Sequence, residues 1–131
     1  MSKETHKKLA LADLMARAEQ RRDGARTYKS VYLPTLGGEL TLEKISLTRV
    51  LGLLDGVDST DMQANLDFQV ELIYQCCPML RNRELQEAFG CKEPTDIVCA
   101  LLEDNFGDIS MAADAILEMY GLSDNRDSVK N

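Results

Sequence analysis

There is no tryptophan in the 131 residues and only one histidine, His6. Ser–His–Asp and Cys–His chemistry needs an imidazole held against its nucleophile. His6 stands in a polar N-terminal stretch, where it reads as a solvated side chain and a poor general base. Long apolar runs are also missing. The longest, such as Val98–Leu102, fall far short of the about 20 residues needed to cross a bilayer. Met1–Lys8 is polar and no hydrophobic region follows it, so no signal peptide is expected and the chain is expected to stay in a cytoplasm. Paired CxxC knuckles are absent too. Cys76 and Cys77 are adjacent, Cys91 and Cys99 lie further on, and no second histidine could complete a zinc set. No metal and no cofactor is expected, and the thiols read as small buried hydrophobes in a reducing compartment.

Other motifs fail on inspection. Gly37-Gly38 has neither the spacing nor the Lys-Ser/Thr ending of a phosphate loop. Asp55, Asp58 and Asp61 resemble a calcium loop, but an EF-hand begun at Asp55 meets Val57, Thr60 and Leu66 where it needs oxygen, glycine and glutamate. A loop begun at Asp104 meets Phe106 and Ala115 and fails likewise. Both acidic groups read as turns between helices. No catalytic residue is assigned and an enzyme is not expected.

What is present is charge of two signs, kept apart. Residues 1–29 carry eight basic and four acidic side chains, net +4, and residues 30–131 carry seven and eighteen, net −11. An acidic body repels nucleic acid and anionic lipid, so neither is an expected partner. The basic head suits an acidic partner, a second copy included.

The periodicity is mainly helical. Lys8–Arg22 reads as a first helix, with Leu11, Leu14, Met15 and Ala18 at i, i+3, i+4 and i+7 and with Arg17, Arg21 and Arg22 off that stripe. So narrow a stripe on a charged helix needs a surface to lie on. These seven residues are the candidate partner-binding or self-association set. A β-hairpin follows: Thr27–Leu33 is rich in strand formers, Glu39–Ile45 alternates, and Gly37-Gly38 is read as a tight turn supplying positive φ angles. Ser46 caps a helix with a stripe of Leu47, Val50, Leu51 and Leu54. Thr60 or Asp61 starts a longer helix to Cys77, its main stripe Leu66, Val70, Ile73, Tyr74 and Cys77 and its flank Phe68 and Leu72. After Pro78 an amphipathic segment, Met79–Phe89, closes at Gly90. Pro94 suits position N1 of a helix ending near Asn105 and Gly107. The last helix is expected to start at Asp108 or Ser110 and to end at Gly121, with Ile109, Ala112, Ala113, Ile116, Leu117 and Tyr120 in register. The expected fold is therefore mainly α. It has an N-terminal basic arm (1–26), then one domain made of the hairpin (27–45) and a compact bundle of about five helices (46–121), and a polar disordered tail (122–131).

The arm LALADLMARAEQRRDGA, the hairpin YKSVYLPTLGGELTLEKIS, the leucine-rich SLTRVLGLLD, the stretch DFQVELIYQCCPML and the closing DISMAADAILEMYG together resemble the XkdN-like phage tail assembly chaperones of phages and prophages of Gram-positive bacteria. The likeness is one of layout over nearly the whole chain. It implies a small non-enzymatic helical protein acting in the host bacterial cytoplasm and absent from the mature virion. Its partners would be the tape measure protein, which it coats and keeps soluble, and the tail tube protein. Self-association would assist such coating. An acidic adaptor or inhibitor that binds a host factor is the alternative; the acidic body suits it and the basic arm does not.

Overall fold

The computed structural model describes residues 6–22 and 28–122. Helix α1 (Leu11–Arg22) precedes a two-stranded antiparallel hairpin, β1 (Tyr28–Leu33) and β2 (Gly38–Glu43). Five helices follow: α2 (Leu47–Leu54), α3 (Met62–Cys76), α4 (Arg83–Ala88), α5 (Asp96–Leu101) and α6 (Phe106–Glu118), with a 3₁₀ turn Pro78–Arg81 between α3 and α4. The fold is thus mainly α with one hairpin. Residues 1–5 and 23–26 of the expected arm, residue 27 of the expected hairpin and 123–131 of the expected tail lie outside the described residues.

The core forms where α6 and α3 pack together and the inner face of the hairpin closes over them. Leu33, Leu40 and Leu42 point inward from the strands and meet Ile73, Ile109 and Ile116 in one buried cluster. Glu39 and Thr41 take the outer face, as period-two alternation requires. An isolated two-stranded ribbon is marginal in water, and α6 holds this one at both ends. At the turn, the Asp108 carboxylate accepts the Thr35 N–H at 2.8 Å. At the open end, the Tyr120 hydroxyl accepts the Ile45 N–H at 2.7 Å and donates to the Ile45 carbonyl at 2.6 Å. Lys29 pairs with Glu118 between these two ends. Asp108 stands in the first turn of α6 and Tyr120 in the turn just past its end, and the ten residue steps of helix from Asp108 to Glu118 rise about 15 Å, so the two side chains reach opposite ends of the hairpin.

Several local expectations are corrected. The hairpin turn is a four-residue loop, Pro34–Gly37, since Leu33 pairs with Gly38; only Gly37 has positive φ, at 64°, and Gly38 belongs to β2. Helix α1 begins at Leu11, three residues later than expected, because the Asp13 carboxylate turns back to accept the Ala10 N–H at 2.9 Å and so fixes the start. In α2 the Ser46 cap is present, accepting from Arg49 N. The helix presents Val50, Leu53 and Leu54 to the core, with Val57 beyond it, and leaves Leu47 and Leu51 exposed. Residues 50, 53, 54 and 57 satisfy helical spacing as well as 47, 50, 51 and 54 do, and the packing selects between them.

Helix α3 starts on Asp61, whose carboxylate accepts from Gln63 N and Ala64 N. It buries Phe68, Leu72, Ile73 and Cys76 most completely, with Cys77 just beyond, so the buried face joins the expected flank to Ile73 and Cys77 of the expected stripe and leaves Leu66, Val70 and Tyr74 half-buried. Its C-terminal carbonyls, Tyr74 and Gln75, receive the Arg81 guanidinium at 3.2 and 2.8 Å. The single segment expected over Met79–Phe89 is divided by Asn82, which caps α4 by accepting from Leu85 N.

Helix α5 has Thr95 at its N-cap, placing Pro94 ahead of N1, and it ends at Leu101. Glu103 and Asp104 then adopt φ of 54° and 56° and reverse the chain, and Asn105 caps α6 by accepting from Asp108 N at 3.0 Å. Asp108 is therefore inside the first turn of α6, where it is the one buried charged residue among the described ones. At the far end Leu122 N–H reaches the Leu117 carbonyl and Gly121, at φ 74°, passes through the left-handed region. This closure folds Leu122 back against the core, so it belongs to the domain and not to the tail.

Candidate functional site: an open helix face and an acidic groove

The seven sequence-selected residues all fall on α1. Leu11, Leu14 and Met15 line one side of the helix and are 74%, 52% and 60% exposed. Ala18 continues the line, and Arg17 and Arg21 are exposed on its flanks. Arg22 is the last helical residue, and its side chain lies outside the described residues. The helix is thus amphipathic with its apolar side open to solvent. Locally it is held by polar contacts at its start: Lys7 Nζ to Asp13 Oδ1 at 3.0 Å and the Ala10 N–H to Asp13 Oδ2. The Ala10 hydrogen bond, then that from Lys7, hold the Asp13 carboxyl below its ordinary range.

A second surface was not picked out from the sequence. Between α3 and α5 lies a groove of about 600 Å³. Half-buried Leu66, Val70 and Ala100 supply apolar surface, and Asp67, Glu71, Asp96 and Asp104 supply carboxylates; among the described residues no lysine or arginine lines it. The acids have neutral donors for company: Gln63 Nε2 reaches Asp67 at 2.9 Å, Gln75 Nε2 reaches Glu71 at 2.8 Å and the Glu93 N–H reaches Asp96 at 3.0 Å. Cys99 senses this surrounding. Burial pushes its thiol pKa up, and the carboxylates of Asp104, Asp96 and Asp67 push it further in the same direction. The sequence signal was available, since Asp67 and Glu71 stand at i and i+4 on one helix face, but nothing in one chain's spacing says that α5 brings two more carboxylates beside them.

The remaining candidates for chemistry resolve into structure. Asp58 accepts from the Thr60 N–H and hydroxyl at 2.9 and 2.7 Å, which lowers its pKa, and Asp61 caps α3; the acidic run is a turn followed by a cap. Cys76 and Cys77 are fully buried, and burial raises both thiols, Cys76 to about 11. Such thiols are poor nucleophiles at neutral pH. Cys91 and Cys99 are only half-buried, so the reading of all four as core residues holds for two. Among the described residues no group of three or more His, Cys, Asp or Glu side chains is placed to hold a metal ion, and no helix is long and apolar enough to cross a membrane. In comparisons with known proteins, no family model, curated protein or solved structure matches the chain.

Proposed function

We propose that this protein is a non-enzymatic chaperone of phage tail assembly that binds the tape measure protein, with tail tube subunits as further partners, in the host cytoplasm before the virion is complete. The observation that carries the binding part of this reading is the open apolar side of α1: three large side chains stay in water on a helix flanked by arginines. An amphipathic helix of this kind gains stability by lying on a partner's apolar surface. The named partner rests on the likeness in layout to the tail assembly chaperones. The test is co-expression with the tape measure protein of the same phage or prophage. The tape measure protein is expected to shift from the insoluble to the soluble fraction, and Leu11→Asp/Leu14→Asp is expected to abolish the shift. Equal solubility with and without the chain overturns the reading. So does a gene neighbourhood lacking both a tail tube gene and a long, helical tape measure gene.

A further inference from the structure

The open face of α1 and the groove between α3 and α5 are complementary in shape class and in charge. One is a convex apolar stripe flanked by Arg17 and Arg21; the other is a concave apolar floor edged by carboxylates with no cation among its lining residues. The helix does not fill the groove of its own chain, since Leu11, Leu14 and Met15 are exposed. We infer that α1 of one copy docks into the α3–α5 groove of a second copy, its leucines and Met15 on Leu66 and Val70 and its arginines among Asp67, Glu71, Asp96 and Asp104.

This contact uses two different surfaces, so it is head-to-tail. Each copy that donates a helix keeps an empty groove, and copies add until a ring closes or a filament grows. The apolar area offered by one short helix is small, so charge sets much of the encounter rate and the contact weakens as salt screens it. The inference rests on reading α1 as the protein-binding element. It makes a second copy the occupant of that face when no tape measure protein is present, and the tape measure protein its competitor.

Sedimentation velocity on the full chain alone tests it. At low ionic strength species larger than a monomer are expected, falling toward monomer as salt is raised. Arg17→Glu/Arg21→Glu on the helix and Asp67→Lys/Glu71→Lys on the groove should each raise the dissociation constant at least about tenfold. Mixing the two swapped chains should restore association, because the acidic helix then faces the basic groove. Circular dichroism confirms that each variant folds, and Leu14→Asp, which touches no core residue, gives a second route to the same loss. A wild-type chain that is monomeric at low salt, or swapped chains that fail to associate when mixed, overturns the inference. The outcome separates cleanly from the chaperone reading. Chains that solubilise the tape measure protein but stay monomeric sink the groove contact alone, and chains that pass the swap test but solubilise nothing sink the chaperone reading alone.

Discussion

Helices α1 and α6 have similar lengths and similar apolar spacing, yet one is open to solvent along its stripe and the other is the centre of the core. In α6 the positions Ile109, Ala112, Ala113 and Ile116 are all but fully buried. In α1 the corresponding positions Leu11, Leu14, Met15 and Ala18 are exposed. Periodicity marks which side of a helix can be buried, and it is silent on what covers it. The difference lies around the stripe. Alanines at 112, 113 and 115 let α6 approach α3 and the hairpin closely, and Asp108 and Tyr120 lock its two ends to backbone groups 73 and 75 residues away. Helix α1 has arginines beside its stripe, and the contacts that fix its start are local, Asp13 accepting from Lys7 and from the Ala10 N–H.

The comparison breaks most visibly in stability. Ile116→Ala removes a fully buried side chain and should cost about 2–5 kcal/mol in urea unfolding, whereas Leu14→Ala should stay within about 0.5 kcal/mol of wild type. A similar loss at both would mean that α1 is packed in solution. Alkaline pH gives the next largest effect, again confined to the core. Below pH 9 the Cys76 thiol is protonated in both states; between about 9 and 11 the unfolded chain ionises it and the folded chain does not. Stability should therefore fall as pH rises through that window, by roughly 2–3 kcal/mol in total if Cys76 alone is responsible. Cys76→Ala should be less stable at neutral pH but show a flatter fall over the same window; an unchanged slope would assign the fall to other groups.

Smaller again is the loss of one clamp. Tyr120→Phe leaves the Ile45 N–H and carbonyl without their partner and should cost about 1–3 kcal/mol, read from the same unfolding curves. Asp108→Ala acts at the other end, on Thr35, in the same range. If hydrogen exchange in β1 and β2 speeds up no more than in α4 in either variant, α6 does not hold the hairpin as described. The smallest effect is kinetic. A thiol reagent at neutral pH should modify Cys91 and Cys99 before Cys76 and Cys77, in two resolved phases. Four equal rates would mean that the core opens faster than the reagent reacts.

Much of this architecture could be read from residue order. Ser46, Asp61 and Gly121 are end signals whose chemistry is local, and all three act where expected. The alternation at Glu39–Glu43 faced inward at Leu40 and Leu42 because a half-buried strand has only one way to do so. What stayed hidden was decided at long range. Asp108 looks like a cap in any one-dimensional reading; it becomes a buried acceptor only because the hairpin loop lies 73 positions upstream. The face of α2 was ambiguous because five of its eight residues are apolar, and only packing against α3 chooses. The seven α1 residues were placed correctly on one helix, but the groove between α3 and α5 required two helices to meet before its acids became neighbours.

The double hydrogen bond between Tyr120 and Ile45 also orders events in time. On a ribosome the hairpin is synthesised long before α6, so Leu33, Leu40 and Leu42 must wait with their apolar side only partly covered, by α3, until α6 has been made. Contacts this distant in sequence form late because a long loop has to close first. A nascent chain halted before Asn105 would carry a two-stranded ribbon with two unprotected edges and a leucine face that α3 alone cannot cover, which is the kind of intermediate that aggregates. For this protein, translation through α6 is what turns a sticky hairpin into a folded one.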